Sequence, residues 1–339
     1  MSTPTSDGGL ASQTDVAPVH PAVAEAFAHL PDDLKGLARD FDLSIRPELT
    51  ELEQRRRNAV ARAKQYGLGA LGIVAIGGLF SFILQTPLAV IVTAVIGAVV
   101  GGVGYAPVSK IQSEAKDQIL MPLAKRLGLT FERKPSDTSL ITRTGRLRLT
   151  PSYDRAQFED RVTGERHGKP FECLEAHLED RRTRTDSKGR RRTTYVTVFK
   201  GQVLQVAFER PFSGVTLVAR DQGWFNSLSG FGSNLDRARL ESPTFEKAFE
   251  VWTNDQVEAR YLLTPDVMQR FVDLEKAFKG KSLRACFSQQ QLFLAIEAGN
   301  LFEPGSILKP LDDPDRAGRI LDDFALIHRL IDDLSTTEV

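Results

Sequence analysis

Five histidines and two cysteines are scattered through 339 residues, and no serine or cysteine stands in a nucleophile signature. Acyl transfer needs a nucleophile held beside a base, so a triad hydrolase has no local support. The nearest approach to a ligand set is His167, Cys173 and His177. All three fall on odd positions, and an unbroken strand would present them on one face as permissible zinc ligands. Gly168 and Pro170 interrupt that strand, however. Leu174, Ala176 and Leu178 mark the even face as core, so the odd face, with Glu175 and Glu179, is expected to be solvated. Cys173 and Cys286 lie far apart without a CxxC, which fits a reducing compartment and excludes paired-cysteine metal frameworks. No metal or cofactor is expected.

Asp255, Glu258 and Arg260 place two carboxylates beside a cation, the least a metal or general-acid site requires. On a strand Glu258 and Arg260 would share a face while Asp255 sat in a turn with Asn254, which suits a structural ion pair better. Trp252 belongs to the same segment and is taken as structural with them. Gly67 to Gly72 spells GxGxxG, but it opens an apolar run and follows no strand, so it makes no dinucleotide site.

The 44 basic and 44 acidic residues cancel, so their placement is what informs. Between Arg181 and Arg192, seven bases (Arg181, Arg182, Arg184, Lys188, Arg190, Arg191, Arg192) stand against one acid, Asp186. The run separates two strand-like segments, and Asp186-Ser187-Lys188-Gly189 is turn-like, so a long hairpin tip is expected. Anionic lipid headgroups are its natural partner if the domain is tethered to a membrane. A merely solvated tip is the bland alternative, and nucleic acid is less supported because no aromatics interleave for stacking. Asp312 to Val339 carries eight acids and three bases, an acidic amphipathic segment expected to pack its apolar stripe and leave a solvated face.

The elements that must position these residues start with a membrane hairpin. Between Lys64 and Lys110 lie 45 residues without one Asp, Glu, Lys, Arg or His. A bilayer core about 30 Å thick needs roughly 20 apolar residues per helix, so the stretch is long enough to cross twice. Gln85-Thr86-Pro87 supplies the break, giving spans over about 68–84 and 88–105. Helices are the only conformation that satisfies backbone groups in lipid. A buried soluble hairpin seldom runs so far without a charge, and a signal peptide would start nearer the N-terminus. Arg55, Arg56, Arg57, Arg62 and Lys64 before the first span, with Lys110, Lys116, Lys125 and Arg126 after the second, predict both termini cytoplasmic. Gly97 and Gly101 form a GxxxG, and Ala94, Ala98 and Gly102 recur at four-residue spacing. Such a stripe packs the hairpin on itself or against another copy or another membrane protein.

Residues 1–18 read as a disordered tail, 19–65 as a cytoplasmic helical region with Pro47 at a helix start, 66–109 as the hairpin, and 110–128 as a stalk helix stopped by Gly128. Residues 129–335 change to a period of two. Strands are expected around Tyr195–Phe199, Val203–Phe208 and Val215–Ala219. A hairpin is expected over Leu283–Ile296 through Ser288-Gln289-Gln290, with helices over Pro265–Phe278 and Asp315–Leu334. The fold class is therefore α+β: a two-helix transmembrane hairpin and helical stalk carrying a cytoplasmic, mostly antiparallel sheet with a few helices.

Several segments resemble a bacterial family known only as domain of unknown function 3137. They are Leu52-Glu53-x-x-Arg56, Val198 to Gly201, Phe245 to Asp255, Glu258 to Pro265 and Phe302-Glu303-Pro304, and the likeness runs over about 45–330. The resemblance implies a membrane-associated architecture and no reaction. A binding, scaffolding or regulatory module is the expected function, with a membrane-tethered hydrolase or an accessory subunit of a channel or transporter as alternatives. The spans hold none of the ionisable residues that mark an ion path.

Overall fold

The computed structural model describes residues 19–185, 189–208, 212–220, 235–277, 282–303 and 305–335. The expected tail, the turn residues 186–188 with Lys188, Phe278 and Pro304 lie outside them. Three short helices, α1 (Pro21–Phe27), α2 (Asp32–Lys35) and α3 (Leu37–Asp40), and a π turn over Phe41–Ile45 lead into α4 (Arg46–Leu84), with Pro47 in its first turn. Proline is tolerated there because the first turn has no backbone partner for its missing N–H. Gln85, left-handed at φ 52°, ends α4, and α5 (Leu88–Arg126) returns beside it. Gly128, at φ 71°, follows the end of α5 in a conformation that a side chain would strain. The polar and the apolar part of each are thus continuous as single helices.

The most apolar stretch of each long helix has a mean hydropathy of 2.2, and only 6% and 11% of these stretches is buried. A core helix would show the reverse. Both helices are long and apolar enough to cross a membrane. They meet through small residues: a methyl group on Gly77 would overlap Thr93, one on Gly104 would press on Tyr66, and Gly97 lies against Ala70 and Val74. The small-residue stripe divides here. Gly97 packs inside the hairpin, whereas Ala94, Ala98 and Gly102 face outward and Gly101 meets nothing.

Beyond α5 come β1 (Thr130–Glu132), α6 (Ser139–Arg146), β2 (Arg155–Arg166), β3 (Lys169–Thr185), β4 (Arg191–Ala207), β5 (Thr216–Ala219) and β6 (Asp236–Ala238). Then follow α7 (Pro243–Ala248), β7 (Glu250–Thr253), α8 (Gln256–Leu262), α9 (Pro265–Ala277), β8 (Leu283–Ser288), β9 (Gln291–Glu297) and α10 (Pro314–Ser335). The described strands form one antiparallel sheet in the order β1-β2-β3-β4-β9-β8-β5-β7-β6, so the α+β class holds. The β8–β9 hairpin turns through Gln289 and Gln290, both with positive φ, the geometry that matches strand twist in a two-residue loop.

Both faces of the central sheet are covered. Val162, Phe171, Cys173, Leu204 and Val206 pack in one cluster with the lower parts of α4 and α5 and with α10. Leu174, Ala176, Leu178, Phe199 and Val203 pack in the other with Leu140 and Ile141 of α6. At Cys173 and Glu175 the odd face of β3 is therefore buried, because helices remote in sequence close over it, whereas His177 and Glu179 stay partly exposed. Helix α10 lays Ile320, Phe324, Ile327, Ile331 and Leu334 into the first cluster, each worth roughly 1.5–3 kcal/mol of transfer free energy. Residues 256–262 form a helix rather than the strand on which Glu258 and Arg260 would share a face. Asp255 accepts from the backbone N–H groups of Val257 and Glu258, both at 2.9 Å, and that cap starts the helix.

Candidate functional site

A cleft of about 700 Å³ opens between the lower part of α5, the loop from β1 to α6, and β2. Ser109, Gln112, Ser113 and Lys116 recur at helical spacing along one side of α5 and form one wall. Arg133, Lys134 and Thr138 form the second, and Gln157 and Glu159 of β2 with Glu303 complete it. A smaller cavity of about 70 Å³ shares Gln157 and Glu159 and continues past Glu175, His177, Lys200 and Asn300. The mixture of hydroxyl, amide, cation and carboxylate suits a polar ligand that makes many hydrogen bonds.

The floor is electrostatic. Lys116 bonds Asp160, whose side chain is wholly buried, and approaches Glu303 at 3.6 Å. Asp160 sits at the bulge where the β2–β3 register shifts between Glu159 and Arg161, with φ 50°. The bulge turns the carboxylate toward α5 instead of leaving it to alternate along the strand. Burial would lower the Lys116 ammonium, but Asp160, with Glu303 beside it, outweighs burial and holds the charge in place. For Asp160 burial wins over the neighbouring cation, and its carboxyl is pushed up to about 6. Burial, reinforced by Asp160, pushes Glu175 up to about 8, so it keeps its proton at neutral pH. One fixed cation beside two carboxyls raised to about 6 and about 8 makes a floor whose charge changes between pH 5 and 8.

The same acids hold one edge of the cleft. Glu175 accepts from Leu301 N–H at 3.1 Å, Asp323 from Phe302 N–H at 2.6 Å, and the Gln202 amide donates to Gly299 O at 2.9 Å. Burial pushes Asp323 up to about 6 as well. Phe302, at φ 56°, packs its ring 4.7 Å from Phe324 and 6.0 Å from Phe131, and so fixes Glu303 at the mouth.

A buried latch ties the stalk to the next loop. Glu53 and Arg56 pair at 2.7 Å; Arg56 donates to Ile307 O at 2.7 Å, and Leu311 N–H donates to Glu53 at 2.9 Å. Arg316, fully buried, donates to the carbonyls of Ser306, Lys309 and Pro310. The Leu52-Glu53-x-x-Arg56 segment thereby joins α4 to the 306–311 loop, and Glu53 is lowered to about 2 because its cation and N–H partners overcome burial.

The residues singled out from sequence lie elsewhere. Glu258 makes no structural ion pair with Arg260; it accepts from Ser213 N–H at 2.8 Å and Gly214 N–H at 2.6 Å, while Arg260 donates to Gln256 O at 2.8 Å. Trp252 sits on β7 against the second cluster. Cys173 is buried, its thiol raised by burial, His177 bonds Thr197 at 2.8 Å, and His167 pairs with Asp332 at 3.0 Å. They do not converge, and among the described residues no group of three metal-binding side chains gathers. The basic run forms the end of the β3–β4 hairpin, with Arg181, Arg182, Arg184, Arg190, Arg191 and Arg192 all exposed.

None of Lys116, Asp160 or Glu175 was marked by sequence as a site. Sequence singles out Lys116 only as flanking charge beside the second apolar stretch; in the fold it is buried and paired with Asp160. Its signal was position, since it follows Ala115 on the margin of the stripe Val108, Ile111, Ala115 and Ile119. Asp160 and Glu175 carried no signal, because both depend on a bulge and on strand pairing.

The Val198 to Gly201, Phe245 to Asp255, Glu258 to Pro265 and Phe302 segments lie on β4 and in the region from α7 through the cleft edge, in a single folded unit with the sheet. Residues 197–336 match the family described as Protein of unknown function (DUF3137). Within the matched residues, Gly201 faces the β9 backbone, where a methyl group would overlap Ile296 O, so that approach requires a glycine here. No curated protein matches the chain. One similar solved structure is the crystal structure of the mycobacterial trehalose monomycolate transport factor A, TtfA, at 11% identity and a TM-score of 0.29. The match covers 67% of this chain and 98% of that one. Overlap at that level leaves the activity of this chain to its own residues.

Proposed function

We propose that the chain is a binding module anchored by two spans in a bacterial inner membrane, with both termini cytoplasmic, which holds a polar ligand in the cleft beneath its hairpin. Exposure of the apolar helices supports the anchor. Leu68, Leu71, Phe82 and Leu88 are each 68–75% exposed in a band without a charge, far more apolar surface than a water-soluble monomer leaves open. The flank charges, with Arg62, Lys64 and Lys110 nearest the spans, support the cytoplasmic orientation.

The observation that carries the binding role is the cleft floored by Lys116, within about three helical turns of the spans along α5. A ligand there would touch the stalk and the sheet at once, and its arrival would be felt by the Glu303 edge. The test is mass spectrometry of small molecules extracted from full-length protein purified in detergent, beside a Ser113→Trp variant whose indole fills the cleft. A compound present with the parent chain and absent from a folded Ser113→Trp chain is expected. Identical extracts from the two would refute the site.

A further inference from the structure

The direction of β3 has a bearing on the basic hairpin end. Strand β2 runs back along α5: Thr163 pairs with Thr130 just past the end of α5, Asp160 bonds Lys116, and Gln157 lines the cleft opposite Ser109 and Gln112. Lower numbers on β2 are thus nearer the apolar spans. Strand β3 is antiparallel, with Gln157 opposite His177 and Arg155 opposite Glu179, so it climbs toward the spans as its numbers rise. The other end of the β2–β3 pair points away, where Arg166 bonds Asp332 at 2.6 Å near the end of α10.

Lys116 lies about 16 Å below Tyr105 along α5, at about 1.5 Å per residue. From Asp160 to Arg155 the strand recovers nearly the same height, at roughly 3.3 Å per residue. Glu179 therefore stands close to the level of Tyr105, where the second span ends. There the hairpin leaves the sheet: pairing with β2 stops at Arg155 and pairing of β4 with β9 starts at Gly201. Residues 180–185 and 191–196 continue as a two-stranded ribbon of about 20 Å.

That ribbon carries Arg181, Arg182, Arg184, Arg190, Arg191 and Arg192 on both faces, and beyond Asp180 its described residues include no acid. Tyr195 and Val196 are exposed at its root, where the Arg155 guanidinium lies 5.5 Å from the Tyr195 ring. We propose that the ribbon, which leaves the sheet at the level where the hairpin enters the bilayer, turns along the membrane surface, since a straight course would carry its arginines into hydrocarbon, and binds acidic phospholipid headgroups, its arginines forking onto their phosphates. Height, charge and an exposed aromatic root agree with one occupant, the leaflet that the hairpin enters. The inference rests on the reading that α4 and α5 cross the bilayer.

The experiment labels full-length protein with a fluorophore at Thr183→Cys on the ribbon or, separately, at Ile76→Cys in the first span. Each is reconstituted in nanodiscs of phosphatidylcholine alone or with added phosphatidylglycerol. Spin-labelled lipids then quench at headgroup or acyl depth. Headgroup quenching at Thr183 should rise about twofold or more with phosphatidylglycerol, and fall back in high salt or when Arg181, Arg182 and Arg184 are changed to Gln. Acyl quenching at Ile76 without phosphatidylglycerol-dependent quenching at Thr183 overturns the ribbon contact alone. Absence of quenching at Ile76 overturns the membrane reading beneath it. A Thr183 label shielded by duplex DNA and indifferent to lipid would assign the ribbon to nucleic acid and refute the proposal.

Discussion

Replacing Lys116 by Met tests the floor of the cleft. The thioether fills the space of the aliphatic stem but leaves Asp160, a wholly buried carboxylate, without its cation. Removing one partner of a buried pair costs about 3–5 kcal/mol, since the remaining charge has neither water nor a counter-ion. For a domain of this size that corresponds to a melting temperature lower by roughly 6–20 °C. The cost should depend on pH with a definite sign. Asp160 titrates at about 6, so at pH 8 it is ionised in the parent chain and the full penalty applies. At pH 5 it is already mostly protonated, and Lys116→Met should cost only about 1 kcal/mol. A double change, Lys116→Met with Asp160→Asn, should recover to within about 2 kcal/mol of the parent. Scanning fluorimetry of detergent-solubilised full-length protein at both pH values reads all three. Equal losses at pH 5 and 8, or a double variant no better than the single one, would refute the assignment of a buried ion pair.

Raised carboxyls at Asp160, Asp323 and Glu175 bind protons more tightly in the folded state, so their stabilisation is complete below pH 4 and is lost as pH rises through 6 to 8. Stability should fall between pH 5 and 8.5, and Glu175→Gln should flatten the upper part by up to about 1.4 kcal/mol per pH unit, as seen in denaturant titrations at stepped pH. Glu53→Gln should weaken the latch to Ile307 and Leu311, lower stability by about 3 kcal/mol and speed amide exchange across 306–311. Gly201→Ala should cost at least about 1–3 kcal/mol by pressing on the β9 backbone, whereas Gly128→Ala, which meets no neighbour, should cost only its left-handed conformation; thermal melts compare the two.

What the sequence determined on its own is the part governed by local composition and period. Forty-five residues without a charge, broken at Pro87, are enough to specify two long apolar helices. Alternation and turn chemistry were enough for the β8–β9 hairpin and for helices starting at Pro265 and near Asp315. Even so, the period of two misled at Glu258, where the cap at Asp255 imposed a helix, and at Cys173, where helices distant in sequence covered the second face of β3. The cleft belongs wholly to tertiary structure. Lys116 stands 44 residues from Asp160 and far further from Glu303, and they meet because a bulge turns one strand toward a stalk helix. Burial then raises the proton affinities of Asp160 and Glu175, and burial is a property of packing that no single residue or spacing carries.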